Sequence, residues 1–466
     1  MDQIARNNEK CRGRNLKFSK LVCIILLLVS ALPSCRQKID GLGIELTLDK
    51  KTLSNGLTVI LVEDHTVPVI TYQTWYKVGS VDEQPGITGI SHLFEHLMFK
   101  GTEKYGPKQF FQQLEAKGAE VNAFTTRDYT VYYESFTPEL LEKVIDMESD
   151  RMGNLKLDEE VLNTERQVVL EERRLKTDNS VSGKMQEALW ALAYRRHPYR
   201  WPVVGYVEDL LSIQVPRLQD YLQTYYQPGN ATLVLVGDFN PGSTFDLIQK
   251  YYNKVSGHAR PQRKIEPEPA QNEEHRFVLH DEVASEQFAQ AYHVTAAVDE
   301  DSYALDVLAN ILFEGSSSRA YRKLVEEKDI AISVSGSAFT PAFPGIFIIT
   351  GTMKGNIPAE QGEVLLDQVI RETQEKGVSG EEISAAVKQL TVQLVDSVRT
   401  PFGLGQLIGT VMMIFGEPTR FAEDLSKYLK VTAQDVKRVS VKYLSPNNRS
   451  VVTLLPEVKK KSGTAK

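Results

Sequence analysis

Cysteine is almost absent. The 466 residues hold three, Cys11, Cys23 and Cys35, none of them beyond position 35. The remaining chain therefore has no disulfide framework and no thiolate metal site. Any metal must be held by His, Asp or Glu, and histidine is scarce as well, with 8 residues. Long apolar runs are missing, which argues against a polytopic membrane protein. Excess positive charge is missing too: 54 Lys and Arg face 61 Asp and Glu, a formal net charge of −7. Such an acidic body does not suggest nucleic-acid binding. It suits basic peptides better than acidic ones. The hydrophobic share of 42% and charged share of 25% are ordinary for a soluble globular chain. The length suits two or three domains.

The stretch 1–34 differs from the rest. Arg6, Lys10, Arg12, Arg14, Lys17 and Lys20 precede "LVCIILLLVSALPSC", Leu21 to Cys35. A basic region, a short apolar run and small residues form a secretory signal. About 12 apolar residues are too few to span a bilayer. Leu32-Pro33-Ser34-Cys35 resembles a bacterial lipobox. The expectation is a signal peptide over 1–34, lipid on Cys35, and a periplasm-facing, lipid-anchored protein, with plain secretion as the alternative. Arg36 in place of an acidic residue favours the outer membrane. Removing 1–34 takes away six cations and two anions, so the formal charge becomes −11.

Residues 35–45 read as a tether. A first region, 46–258, opens with strand-like "LTVILVE" and "VITYQTWYKVG" and closes with "NATLVLVGDF". Helical patterns lie between. The polar stretch 259–275, with Pro261, Pro267 and Pro269, reads as a linker. A second region spans 276–457, and 458–466 is a polar tail. The regions look like copies. "YYQPGN" from Tyr225 leads into "ATLVLVG", and "YLSPNN" from Tyr443 leads into "RSVVTLLP", at matching places near the end of each region. Mixed hairpin-like strands and helices predict an α+β fold: two related domains, each a mostly antiparallel sheet packed with helices.

The chemistry concentrates in "GISHLFEHLMFKGTEKYG", Gly89 to Gly106. On a helix, Glu95 lies at about 300° and His96 at about 40° from His92, so all three share a face. Imidazoles at i and i+4 can hold one metal. Glu95 then suits a base acting on water better than a ligand. A helix with two satisfied core histidines is the bland alternative. Leu93, Phe94, Leu97, Met98 and Phe99 weigh against it, because three polar groups in apolar surroundings need partners.

A catalytic zinc takes three protein ligands and keeps one open position. His65, His197, His258, His275, His280 and His293 are scattered singly. "TERQVVLEERR" offers Glu165 and Glu172 on one helical face, with Glu171 turned away. Spacing alone does not choose among these groups, since a solvated helix face would look the same.

The inverted H-x-x-E-H, followed by a helix with two glutamates seven apart, resembles the insulinase family of zinc peptidases. Pitrilysin and the mitochondrial processing peptidase belong to that family. The resemblance covers most of residues 45–457. It implies one Zn2+ per chain on His92, His96 and Glu172, the last at about the family's distance beyond the histidine pair. It implies Glu95 as general base and Glu165 as a supporting catalytic glutamate. Asn122, Ala123 and Phe124 would lie on a strand edge that binds extended peptides. "RRHPYRWPVVG" also resembles a family segment, in which His197 would order a loop. Family members further use an Arg and a Tyr, seven residues apart, to stabilise the oxyanion. Here Val325 and Ile332 stand at those positions, and neither can donate a side-chain hydrogen bond. The implied protein is a zinc metalloendopeptidase working in a two-subunit chamber. A related second subunit would supply the Arg/Tyr pair, or a homodimer would use other donors. The alternatives are a non-catalytic structural subunit and a peptide-binding module of the same fold.

Overall fold

The computed structural model describes residues 35–41 and 44–457. Residues 1–34, expected to be a signal peptide, residues 42–43, the Cys35 side chain and the tail 458–466 lie outside the described residues. Seven strands form the first sheet: β1 Cys35–Gly41, β2 Ile44–Thr52, β3 Thr58–Glu63, β4 Ile70–Tyr76, β5 Glu120–Thr125, β6 Thr130–Phe136 and β7 Ala231–Gly237. Their order is β1-β2-β3-β7-β4-β6-β5. Five form the second: β8 His275–Asp281, β9 Gln287–His293, β10 Ala331–Phe339, β11 Ile346–Met353 and β12 Arg449–Pro456, in the order β10-β11-β9-β12-β8. Only β3–β7 and β12–β8 pair in parallel. The architecture is α+β with two mostly antiparallel sheets, as the hairpin-like pattern predicts. One expectation changes: residues 35–41, read as the start of a tether, run as β1, paired antiparallel with β2.

The two halves repeat each other closely. Helix Val215–Tyr225 leads through a short turn into β7, and helix Ala433–Tyr443 leads through another into β12. An asparagine closes each turn in the same way. Asn230 Nδ2 donates to the carbonyls of Tyr225 (2.9 Å) and Lys77 (3.3 Å). Asn448 Nδ2 donates to those of Tyr443 (2.8 Å) and His293 (2.8 Å). Lys77 directly follows β4, and His293 ends β9.

Strands β4 and β7 are buried at every residue. A strand covered on both faces loses its polar alternation. The cover on one face is local: Leu93, Phe94, Val144, Leu218 and Ile248 pack over Val59, Tyr72 and Leu233. The other face is covered from the second half. Leu404, Ile408, Val411 and Met412 of helix Pro401–Phe415 pack on Ile60, Val62, Trp75, Val234 and Val236. The exchange is reciprocal. Met185, Leu189 and Trp190 of helix Val181–Ala193 cover Ala289, Ala291, Ile346 and Val452 of the second sheet. These two crossing helices occupy matching places in the repeat.

Gly409 sets how closely the second crossing helix lies. A Cβ there would fall 2.0–2.5 Å from the Trp75 ring. This helix and its neighbour Gly380–Ser397 are apolar enough together to suggest a broken membrane span, bent by 112°. Its buried face meets a sheet instead. No single described helix is long and apolar enough to cross a membrane.

The linker stretch 259–275 has no regular structure before β8, yet it is fastened. Arg263 forks onto Asp82 at 2.9 and 2.8 Å. Glu268 accepts backbone N–H bonds from Arg195, Arg196 and His197 at 2.8–2.9 Å.

Candidate metal centre

The H-x-x-E-H segment forms helix Ile90–Leu97. Its N-terminus has no side-chain cap of its own, since Gly89 stands there with φ 86°. Buried Glu83 does that work by accepting from the N–H groups of Gly89 (2.8 Å) and Ser91 (2.9 Å). Burial pushes the Glu83 carboxyl up to about 8 despite these bonds. Gly89 meets Gly205, where any Cβ would strike the opposing backbone: 2.4 Å from the Val204 carbonyl oxygen in one direction, 2.3 Å from that of Thr88 in the other. The segment Arg195–Gly205 thus straps the start of the helix. Below the helix, fully buried Arg151 lies over the rings of Phe99, Phe110 and Tyr132 and pairs with Glu148. Tyr132 donates to the Phe94 carbonyl at 3.3 Å.

The carboxylates come from helix Glu159–Arg173, capped by Asp158, which accepts from the Val161 N–H. Glu172 Oε2 lies 3.6 Å from His92 Nε2 and 3.2 Å from His96 Nε2. The imidazole rings sit 5.0 Å apart at 70°. Among the described residues, His92, His96 and Glu172 form the one three-ligand cluster of this kind, with donor atoms within 4.8 Å of one another. Two turns before Glu172, Glu165 places Oε2 at 3.7 Å from His96 Nδ1, while its Oε1 accepts from Lys100 at 2.7 Å. A wide π-turn over Arg174–Asp178 brings Lys176 back onto Glu172 Oε1 at 2.5 Å. Only Oε2 of Glu172 is left facing the histidines.

The protonation states fit a dication. Burial, then the neighbouring His96, lowers the His92 imidazole to about 4, so it is a neutral donor. Glu172 drops to about 2, chiefly through its hydrogen bond with His96 and, against burial, through Lys176. For His96 burial is the largest single influence and lowers it. Hydrogen bonds with Glu165 and Glu172 and the charge of Glu95 together outweigh it and lift the ring to about 9. A proton on His96 would thus sit amid three carboxylates, a place where a divalent cation fits better. Two nitrogens and one oxygen are a donor set suited to zinc with an open position.

Glu95 accepts from Thr125 Oγ1 at 2.6 Å, and burial raises its carboxyl above the ordinary range. Thr125 ends β5, an edge strand of the first sheet. Asn122, Ala123 and Phe124 lie on that strand, with Asn122 Oδ1 accepting from the Ala123 N–H at 2.8 Å. His197 lies away from the cluster: its Nδ1 accepts from the Tyr199 N–H at 3.2 Å. Ile332 is 56% exposed on β10, and Val325 packs against the second core. Nearby Arg319 is committed to Glu382, at 2.6 and 2.8 Å. With Tyr225 set on Tyr443, the second half carries Asn310, Phe313, Glu314 and Leu390 where the first has His92, Glu95, His96 and Glu172. It therefore lacks the repeated ligands. Sequence reasoning missed Lys100, Thr125 and Lys176. The two lysines stood four positions after His96 and Glu172, a spacing that was readable. Thr125 carried no such signal.

Comparison with known proteins bears on the family and the fold. A family profile described as "Insulinase (Peptidase family M16)" matches residues 58–205, and one described as "Peptidase M16 inactive domain" matches 212–390. The zinc protease PqqE of Helicobacter pylori is 30% identical over 413 residues, covering 87% of this chain and 92% of that protein. The probable mitochondrial-processing peptidase subunit beta of Arabidopsis thaliana is 24% identical, covering 87% and 78%. The crystal structure of a protease from Helicobacter pylori superposes with a TM-score of 0.84 at 28% identity, covering 88% of this chain and 99% of that one.

Proposed function

This chain belongs to the insulinase family of peptidases, and from that premise we propose that it is a zinc-dependent endopeptidase cutting peptides or unfolded segments. The convergence of His92, His96 and Glu172 beside buried Glu95 carries the reading. One Zn2+ held there would supply Lewis acidity toward water and the scissile carbonyl. Glu95 takes a proton from the attacking water as its oxygen bonds the carbonyl carbon. It then gives that proton to the leaving amine nitrogen as the C–N bond breaks. Thr125 fixes the Glu95 carboxylate for this exchange. Glu165, braced by Lys100, orients the His96 ring. Substrate lies extended against the free edge of β5 at Asn122, Ala123 and Phe124, bound through its main chain. The signal-like start supports a proposed location in the bacterial envelope, lipid-anchored at Cys35 and facing the periplasm, with the outer membrane preferred.

The apolar Val325 and Ile332 leave an oxyanion donor to come from elsewhere. A related second subunit with Arg and Tyr at those places is the proposed source. Full peptidase activity of the purified chain alone would remove that requirement.

The central test is Glu95→Gln. It should retain one zinc per chain by elemental analysis and lose about 10²–10⁴-fold in peptide turnover. Normal turnover in this variant, or folded protein that takes up no zinc, would sink the proposal.

A further inference from the structure

Lined by none of His92, Glu95, His96 and Glu172, a cleft of about 610 Å³ opens where the linker passes between the halves. Its walls include Lys77 after β4, Tyr225, linker residues Arg260 and Arg263, Phe343 of the β10–β11 turn and Ile414 near the end of the second crossing helix. Three cations meet here, and the lining carboxylate is Asp82. Arg263 occupies it with both arms of its guanidinium and also donates to the Asp128 carbonyl. Lys77 Nζ and the Arg260 guanidinium have no ion pair among the described residues.

Burial lowers the Lys77 ammonium, Arg263 and Arg260 lower it further, and Asp128 and Asp82 oppose them. Arg260 is lowered by burial and then by Arg263. Arg260 is exposed and Lys77 half-buried, and both line this one cleft. An anion between the two side chains would relieve their repulsion. Tyr225 lines the same space and offers a phenolic donor.

We propose that this cleft is a binding site for one small anionic group, a phosphate or a carboxylate, held between Lys77 and Arg260. The linker, the first half and the second half all contribute walls, so an occupied site also ties them together.

Calorimetric titration of the full chain with inorganic phosphate, and separately with succinate, tests the assignment. Sodium chloride at matched ionic strength is the control. Saturable binding by at least one of the two is expected. It should weaken at least tenfold in Lys77→Met/Arg260→Gln. The exposed linker substitution Arg260→Gln alone should weaken it at least threefold, and this single change spares the cores. Binding of phosphate only, or of succinate only, names the group. Without added anion, the Tm of the double variant should equal or exceed that of the parent, because two repelling cations are gone. The proposal fails if neither anion binds saturably, if chloride reproduces the effect, or if Arg260→Gln binds as the parent does. Elemental analysis of zinc run alongside reports on the metal cluster independently.

Discussion

At the scale of single residues, the cluster is a set of charges that need one another. Lys100 braces Glu165, Glu165 faces His96, and Lys176 takes the spare oxygen of Glu172. Outer partners of this kind fix ligand orientation and tune affinity. Glu165→Gln should therefore weaken zinc binding about 10–100-fold while His92, His96 and Glu172 remain. Competition against a fluorescent chelator measures it, and unchanged affinity would show that Glu165 does not act through His96. His197 makes a second prediction. Burial lowers its imidazole to about 4, with Glu268 opposing. An unfolded chain would protonate this ring near its ordinary value of about 6.5. Below that pH the unfolded state binds a proton that the folded state refuses until about 4. Its contribution to stability is thus complete above about 6.5 and is lost as pH falls toward 4, at up to about 1.4 kcal/mol per pH unit. Urea midpoints between pH 7 and 5 should fall less steeply in His197→Gln. Equal slopes would contradict the assignment.

At the scale of elements, the crossing helices are the decisive parts. Gly409 faces Trp75 with no room for a side chain. Gly409→Ala should cost about 1–3 kcal/mol through overpacking. Gly380 begins its helix in open space. Gly380→Ala should be neutral or stabilise by up to about 1 kcal/mol. Thermal unfolding of the pair provides the comparison, and a stable Gly409→Ala would mean that the helix is not held against the sheet. The element scale also shows what could be read in advance. The period of "HLFEH" placed two imidazoles and a carboxylate on one face, and Glu165 and Glu172 shared another. Local geometry sufficed for that. Which carboxylate met the histidines depended on how two helices pack, and only the family resemblance supplied it. The exchange of Val181–Ala193 and Pro401–Phe415 left no local trace. An apolar helix looks the same whichever sheet it covers. β1 was misread because a polar edge strand lacks the alternation of a half-buried one.

At the scale of the whole molecule, the linker joins two halves that each have a core of their own and share the apolar layer on the other face of each sheet. Each sheet draws one cover from its own half and one from the other. The pieces 46–258 and 259–457, expressed separately, should each expose an apolar sheet face and aggregate. Expressed together they should recover a soluble complex, read by size-exclusion chromatography. A monodisperse, cooperatively melting 46–258 fragment would refute mutual dependence. The repeat itself was visible in the two helix-to-strand turns, one after Tyr225 and the other after Tyr443. The fastening of the linker was not, because Arg263 and Glu268 find their partners through the tertiary fold.

The crossing helix Pro401–Phe415 also sets a timetable for synthesis. Strand β7 is complete at Gly237, but the helix that shields its outer face ends at Phe415. At about 5–20 residues per second, a nascent chain waits on the order of ten to forty seconds between those points. Throughout that interval Trp75, Val234 and Val236 stand bare. A holding chaperone that favours apolar strands should therefore engage this polypeptide midway through its production and let go once the last third emerges.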